Sequence, residues 1–224
     1  MPTYVIRRAA GVPKLKADWN DPMWKVAPTV KVAKFHPQSS DHHPVTRAKV
    51  LYDDRGLYVS FKVEDRYVRA VSLKRQSGVC RDSCVEFFVA PKPERGYFNF
   101  EINCGGTMLL YYIPDSPFID GRFVKYMPVA DFLMNRIRIY HSMPRRVAPE
   151  IKKPVAWELG YFIPFSLFEK YVGRLRVAPG RTWRANFYKC AGRTSHPHWA
   201  SWAPIGPKLC FHLPERFGAL RFGK

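Results

Sequence analysis

The residues predict an all-β fold, an antiparallel β-sandwich with at most one or two short helices. Apolar and polar residues alternate over short stretches, at the period of two that an extended strand imposes. Twenty prolines are scattered along the chain and interrupt any long helical run. One segment alone, residues 164–171, carries a helical pattern. Many short strands between Gly and Pro turns, with so little helix, describe two packed antiparallel layers.

Taken in order, residues 45–52 and 57–63 flank Asp53-Asp54-Arg55-Gly56 and read as strand, tight turn and strand. Leu57, Val59, Phe61 and Val63 alternate inward, and Gly56 is expected to take the positive φ that such turns often demand. Further strands are predicted at 84–89, 97–104, 107–113, 136–141, 156–163, 183–190 and 218–222. In the helical segment Pro164 suits a first turn and Gly173 a stop. Residues 142–154 hold three prolines and four basic residues and are predicted to project as a loop between two strands. With no internal repeat, heptad pattern or linker, residues 1–224 read as one domain, long enough for a sizeable core.

A hydrophobic content of 46% with 15% aromatics places the chain among globular rather than disordered proteins. No apolar run approaches the ~18 residues that span a bilayer, so no membrane span is expected. The first eight residues lack an apolar signal core and cleavage site. As written the chain therefore reads as cytoplasmic, and as secreted if its N-terminus has been processed. The net charge of +19 attracts polyanions, including RNA, DNA, acidic glycans and anionic lipid. That charge is spread along the chain, with modest clusters at Arg145-Arg146 and Lys152-Lys153, so plain solubility is the leading reading. The five cysteines are odd in number and form no C-x-x-C pair, which favours reduced thiols. Cys84, Cys104 and Cys190 fall in strand-like runs, where a free cysteine is usually a small buried apolar group.

The strand at 97–104 has two unlike faces. Phe98, Phe100, Ile102 and Cys104 form an apolar row, whereas Tyr97, Asn99, Glu101 and Asn103 form a row of donors, acceptors and an aromatic suited to sugar hydroxyls. A merely solvated strand face has the same look. In residues 183–190, Arg184, Asn186, Tyr188 and Cys190 share one face. If that strand lies beside 97–104, Asn186 and Tyr188 join Asn99, Glu101 and Asn103 in one polar patch, with Glu86 adding a carboxylate. Glu86 reads equally as a buried structural acid paired with an arginine.

Several ordered motifs resemble one family. Tyr52-Asp53-Asp54-Arg55-Gly56-Leu57-Tyr58-Val59-Ser60-Phe61, Asp82-Ser83-Cys84-Val85-Glu86-Phe87-Phe88, and the 97–103 strand followed by Gly106 resemble family 9 carbohydrate-binding modules and their DOMON-like relatives. The 183–190 and 195–202 stretches, the closing 211–222 element and the Trp19–Trp24 region fit as well. The resemblance implies a β-sandwich that binds a glycan or oligosaccharide end without catalysis, often beside glycoside hydrolases. It puts Glu86 and Asn103 at positions that bond sugar hydroxyls. Tyr188 stands where a xylanase-borne module carries glutamine, and Glu101 where that module carries arginine. The family's two-tryptophan sandwich is replaced here by Cys80 and Phe211. Trp199 or Trp202 can take the place of a missing platform, or can equally serve core or loop packing.

The ligand set expected is therefore Glu86, Glu101, Asn103, Asn186, Tyr188, Phe211, Trp202 and Cys80, with an acidic glycan favoured by the basic side chains. No cofactor is predicted: calcium is not derivable from any motif. His196-Pro197-His198 with His212 invites a metal reading but has no H-E-x-x-H spacing. Met108, Met127 and His141 sit in no haem signature. Glu86 and Glu101 are considered as a glycosidase pair, which needs carboxyls ~5–10 Å apart around a cleft. No nucleophile elbow, P-loop or dinucleotide fingerprint is present. Two rivals share the scaffold: a polyanion or nucleic-acid module, and an interaction module with an exposed aromatic patch.

Overall fold

The alternation in the sequence becomes two facing layers in the computed structural model, which describes residues 1–114, 118–119, 122–123 and 125–224. The strands that build the layers are β1 (Thr3–Arg8), β2 (Val45–Tyr52), β3 (Gly56–Asp65), β4 (Cys84–Ala90), β5 (Tyr97–Asn103), β6 (Met108–Ile113), β7 (Arg138–His141), β8 (Val155–Pro164), β9 (Thr182–Cys190) and β10 (Gly218–Phe222). One layer has the order β6-β5-β4-β9-β10-β1 and the other β1-β2-β3-β8-β7. β1 belongs to both. Its first half pairs with β10 (Thr3 opposite Ala219, Ile6 opposite Phe222) and its end with β2 (Arg7 opposite Leu51). Both pairings are parallel, an exception to the otherwise antiparallel layers.

The core lies between the layers. Phe87, Phe98, Phe100, Ile102, Cys104 and Phe187 meet Leu57, Val59, Phe61, Val63, Trp157 and Tyr161, all buried in one cluster. Phe87 stacks on Phe187 with ring centroids 4.9 Å apart, and Phe61 meets Phe187 edge-on at 6.2 Å. Each such side chain stabilises the fold by ~1.5–3 kcal/mol through burial. This apolar face of β5 leaves the opposite face of the strand for other work.

One end of the core is polar. Lys189, fully buried, donates from Nζ to Nε2 of His198 at 2.7 Å and lies 3.5 Å from the Asp65 carboxylate. Asp65 also accepts from His42 Nε2 at 2.8 Å and from the Trp157 indole at 3.1 Å. Burial works to raise Asp65, but the Lys189 charge and the His42 hydrogen bond outweigh it and hold the carboxyl below its ordinary range. With the Cys190 carbonyl at 3.1 Å as its third partner, this buried ammonium is tolerable where an unpaired one would not be.

Three expectations need correction. Gly56 does not take a positive φ. The Asp53 carboxylate accepts from the backbone N–H groups of Arg55 and Gly56 and so makes the turn, while a Cβ on Gly56 would stand 2.1 Å from the Ile163 carbonyl oxygen. Glycine is needed there for close approach to β8. Residues 142–154 are not a free loop, because Val147–Ile151 pairs with Val68–Ala70. Among the described residues the α-helices are three: α1 (Pro22–Lys25), α2 (Asp131–Met134) and α3 (Phe165–Val172). The first two are single turns, too short for a period of 3.6 to register in sequence. α3 is the expected helix, with Pro164 as its N-cap and Gly173 at φ 74° as its stop. No helix among the described residues is long and apolar enough to cross a membrane.

Candidate functional site

On the outward face of the first layer, register alone assembles a grid. β4 lies between β5 and β9, so Glu86 stands opposite both Glu101 and Tyr188. Phe88 stands opposite Asn99 and Asn186, and Cys84 opposite Asn103 and Cys190. The polar patch expected from sequence therefore spans three neighbouring strands, with the Glu86 strand at its centre.

Over this grid opens a pocket of about 400 Å³. Its floor contains Glu86, Glu101 and Cys190; its walls include Cys80, Trp199, Leu209, Phe211 and His212, with Arg81 and Arg193 at the rim. Phe211 rests one ring face on Tyr188, with centroids 4.1 Å apart and planes 12° apart, and its carbonyl accepts from the Tyr188 hydroxyl at 2.9 Å. Trp199 is half-buried, and Gly192 lies between its ring and the Cys80 carbonyl. A larger groove of about 690 Å³, lined by Arg8, Arg55, Arg136, Arg138 and Phe162 among others, contains none of the predicted residues.

The floor is electrostatically unusual for a chain of charge +19. Among the described residues neither Glu86 nor Glu101 belongs to an ion pair, so the arginine partner that one of the two readings of Glu86 requires is not found. Burial pushes Glu86 up to about 7, against the lowering effect of the hydrogen bond it accepts from the Cys190 thiol at 3.0 Å. Burial and the neighbouring Glu86 raise Glu101 well above the usual carboxylate range. The Asn99 amide donates to Glu101 at 2.8 Å and fixes its orientation. Burial and mutual repulsion favour the protonated form of such a pair, and a carboxyl that keeps its proton both donates and accepts. Burial also pushes the Cys84 thiol up to about 12 and that of Cys190 well above its ordinary value.

The predicted residues separate into three groups. Glu86, Glu101, Cys80 and Phe211 line the pocket. Asn103, Asn186 and Tyr188 share the same sheet face but lie beneath the surface. Asn103 donates to the Ser72 carbonyl and Asp82 and accepts from Thr107 N–H. Asn186 donates to the Ala203 carbonyl and accepts from Ala203 N–H, holding the chain that leads to the pocket wall. Trp202 is on the other side of the sheet, edge-on to Phe187 at 5.7 Å, and is not a wall of this pocket. Its backbone pairing opposite Phe187 turns it inward. Trp199 is the tryptophan that reaches the pocket.

The histidines do not converge. His196 stacks on Tyr67 and His198 faces His42, whereas His212 sits on Phe88 and bonds the Tyr97 hydroxyl. Met108 is buried in the core and Met127 is exposed. Arg81, Gly192, Arg193 and Leu209 were not singled out from sequence. Arg81 ends a single 3-10 turn (Val79–Arg81) and the other three stand in loops, all without periodicity, so their position follows only from chain pairing.

With this geometry in hand, the chain belongs to carbohydrate-binding family 9, which it matches over residues 23–222. It is similar in structure to a protein from Bacteroides uniformis that has been proposed to bind carbohydrate: 25% identity, 98% of each chain covered, TM-score 0.84. Two structures of a family 9 module from Caldicellulosiruptor kristjanssonii share the fold at 12% identity. One, in complex with cellotriose, covers 99% of this chain and 94% of its own at a TM-score of 0.64. The other, in complex with glucose, covers 100% and 97% at 0.63. No curated protein matches the chain.

Proposed function

We propose that this protein binds the end of a glycan in the pocket over Glu86 and Glu101. The observation that carries the reading is a buried carboxyl pair on the floor of a pocket whose walls include two aromatic side chains, Trp199 and Phe211. Carboxyls bond sugar hydroxyls in either protonation state, and aromatic faces pack on the C–H surface of a pyranose. Membership of family 9 supports carbohydrate as the ligand class, and the cellotriose and glucose complexes of the related module support a glucose-type sugar. Arg81 and Arg193 at the rim favour a ligand that also bears carboxylate or sulfate, through charge-assisted hydrogen bonds. Service beside polysaccharide-degrading enzymes is part of the same proposal.

Calorimetric titration with glucose, cellotriose and an oligogalacturonide tests it. Binding of at least one, weakened by Trp199→Ala and by Glu101→Gln, is expected. No binding across a neutral and acidic glycan array would end the proposal. A second reading rests on a separate groove of about 320 Å³ lined by Lys92, Arg174, Arg176 and Arg181 with no acidic residue. It suits a polyanion, and association with single-stranded DNA or RNA that falls steeply with salt would support it.

A further inference from the structure

We propose that Cys84, Glu86 and Cys190 form a zinc site at the floor of the pocket. Cys84 and Cys190 are direct cross-strand partners on β4 and β9, and Glu86 follows two residues later on the same face. Two thiol sulfurs and one carboxylate oxygen thereby lie within 4.8 Å of one another, all in buried residues. Among the described residues this is the one group of donors so arranged. The Cys190 sulfur is 3.0 Å from Glu86 Oε1.

The donor chemistry selects the ion. Tetrahedral zinc takes sulfur at ~2.3 Å and carboxylate oxygen at ~2.0–2.2 Å, which sets its sulfur ligands about 3.8 Å apart. That spacing lies within the observed limit with only small side-chain adjustment. Calcium and magnesium require six or more hard oxygen ligands, or several retained waters, and two thiolates exclude them. Three protein ligands leave a fourth position, and Glu86 and Cys190 both border the open pocket from which water or a ligand hydroxyl can fill it. On binding, each thiol gives up its proton to solvent and the sulfur lone pair goes to the metal. Two thiolates, one carboxylate and a dication sum to −1, which Arg81 and Arg193 at the rim oppose. The strands are held by pairing on both sides of Cys84 and Cys190, so the donors are gathered before any ion arrives.

The test uses the reduced full chain under anaerobic conditions. Cobalt titration is expected to reach one equivalent with a thiolate-to-cobalt charge-transfer band, and zinc to displace the cobalt. Cys190→Ser and Cys84→Ser should abolish the band and weaken zinc binding by ~100-fold or more, while Cys104→Ser, a core residue, should leave both unchanged. In the wild type, zinc should protect Cys84 and Cys190 from alkylation, read by mass spectrometry, whether or not the variants fold. Absence of stoichiometric binding, or alkylation of both residues at an unchanged rate with zinc present, would overturn the site. Glycan binding is read separately on the metal-free protein, so failure of one proposal leaves the other standing.

Discussion

Protonation of His198 should control how this fold withstands acid. The imidazole is buried, accepts at Nε2 from the Lys189 ammonium, and places Nδ1 2.9 Å from the His196 carbonyl, to which it donates. The groups facing it are Lys189, Asp65 and His42. Burial, then the Lys189 charge, push His198 down to about 2, with Asp65 opposing. A histidine depressed in the folded state binds fewer protons there than in the unfolded chain, where its pKa is ~6.5. Its contribution is therefore fully present above pH ~6.5 and is lost as the pH falls toward the folded value. At pH 5, about 1.5 units below the unfolded value, the loss is about 2 kcal/mol, with a slope approaching ~1.4 kcal/mol per pH unit. Glu86 and Glu101, raised rather than lowered, carry the opposite sign, so the quantity to measure is the difference between wild type and His198→Gln. Urea unfolding at pH 7.5 and 5.0 should show the wild type losing about 2 kcal/mol more than the variant over that interval. Equal pH dependence within about 0.5 kcal/mol, or a His198 ring resonance titrating near 6.5, would refute the reasoning.

Gly56→Ala should destabilise the fold by ~1–3 kcal/mol or more in the same unfolding assay, since its Cβ meets a backbone oxygen that cannot swing aside. Asn186→Ala leaves both backbone groups of Ala203 without their partner and should cost ~1–3 kcal/mol of stability. If Asn186 instead touched the sugar, calorimetry would show affinity falling with stability intact. Trp199→Ala should weaken glycan binding up to ~10-fold, as loss of one stacking face is worth ~0.5–1.5 kcal/mol, while Trp202→Ala should lower the melting temperature and leave the affinity of the folded fraction unchanged.

The legible part of this molecule was what period two controls. Phe98, Phe100 and Ile102 could be assigned inward, and Asn99, Glu101 and Asn103 outward, because a strand gives side chains only two directions. Which strands become neighbours is a long-range matter, and the interposition of β4 between β5 and β9 was not encoded locally. Outward also proved different from exposed. Asn103 and Asn186 face away from the core yet are covered by loops, and their amides serve those loops. The choice between Trp199 and Trp202 turned on a three-residue strand beside β9 whose pairing sends alternate residues to opposite faces. The two cysteines that meet across β4 and β9 are 106 positions apart and carry no spacing signature. Nothing but the register could reveal them.

The parallel seam between β1 and β10 has a mechanical consequence. Force applied by separating residues 3 and 222 along the strand axes would slide these two strands past each other. Backbone links such as Ala219 N–H to the Pro2 carbonyl and Gly223 N–H to the Ile6 carbonyl would then bear the load together rather than peel apart in turn. A domain tethered at both of these strands would yield late under tension, as a clamp does, even where its thermodynamic stability is ordinary.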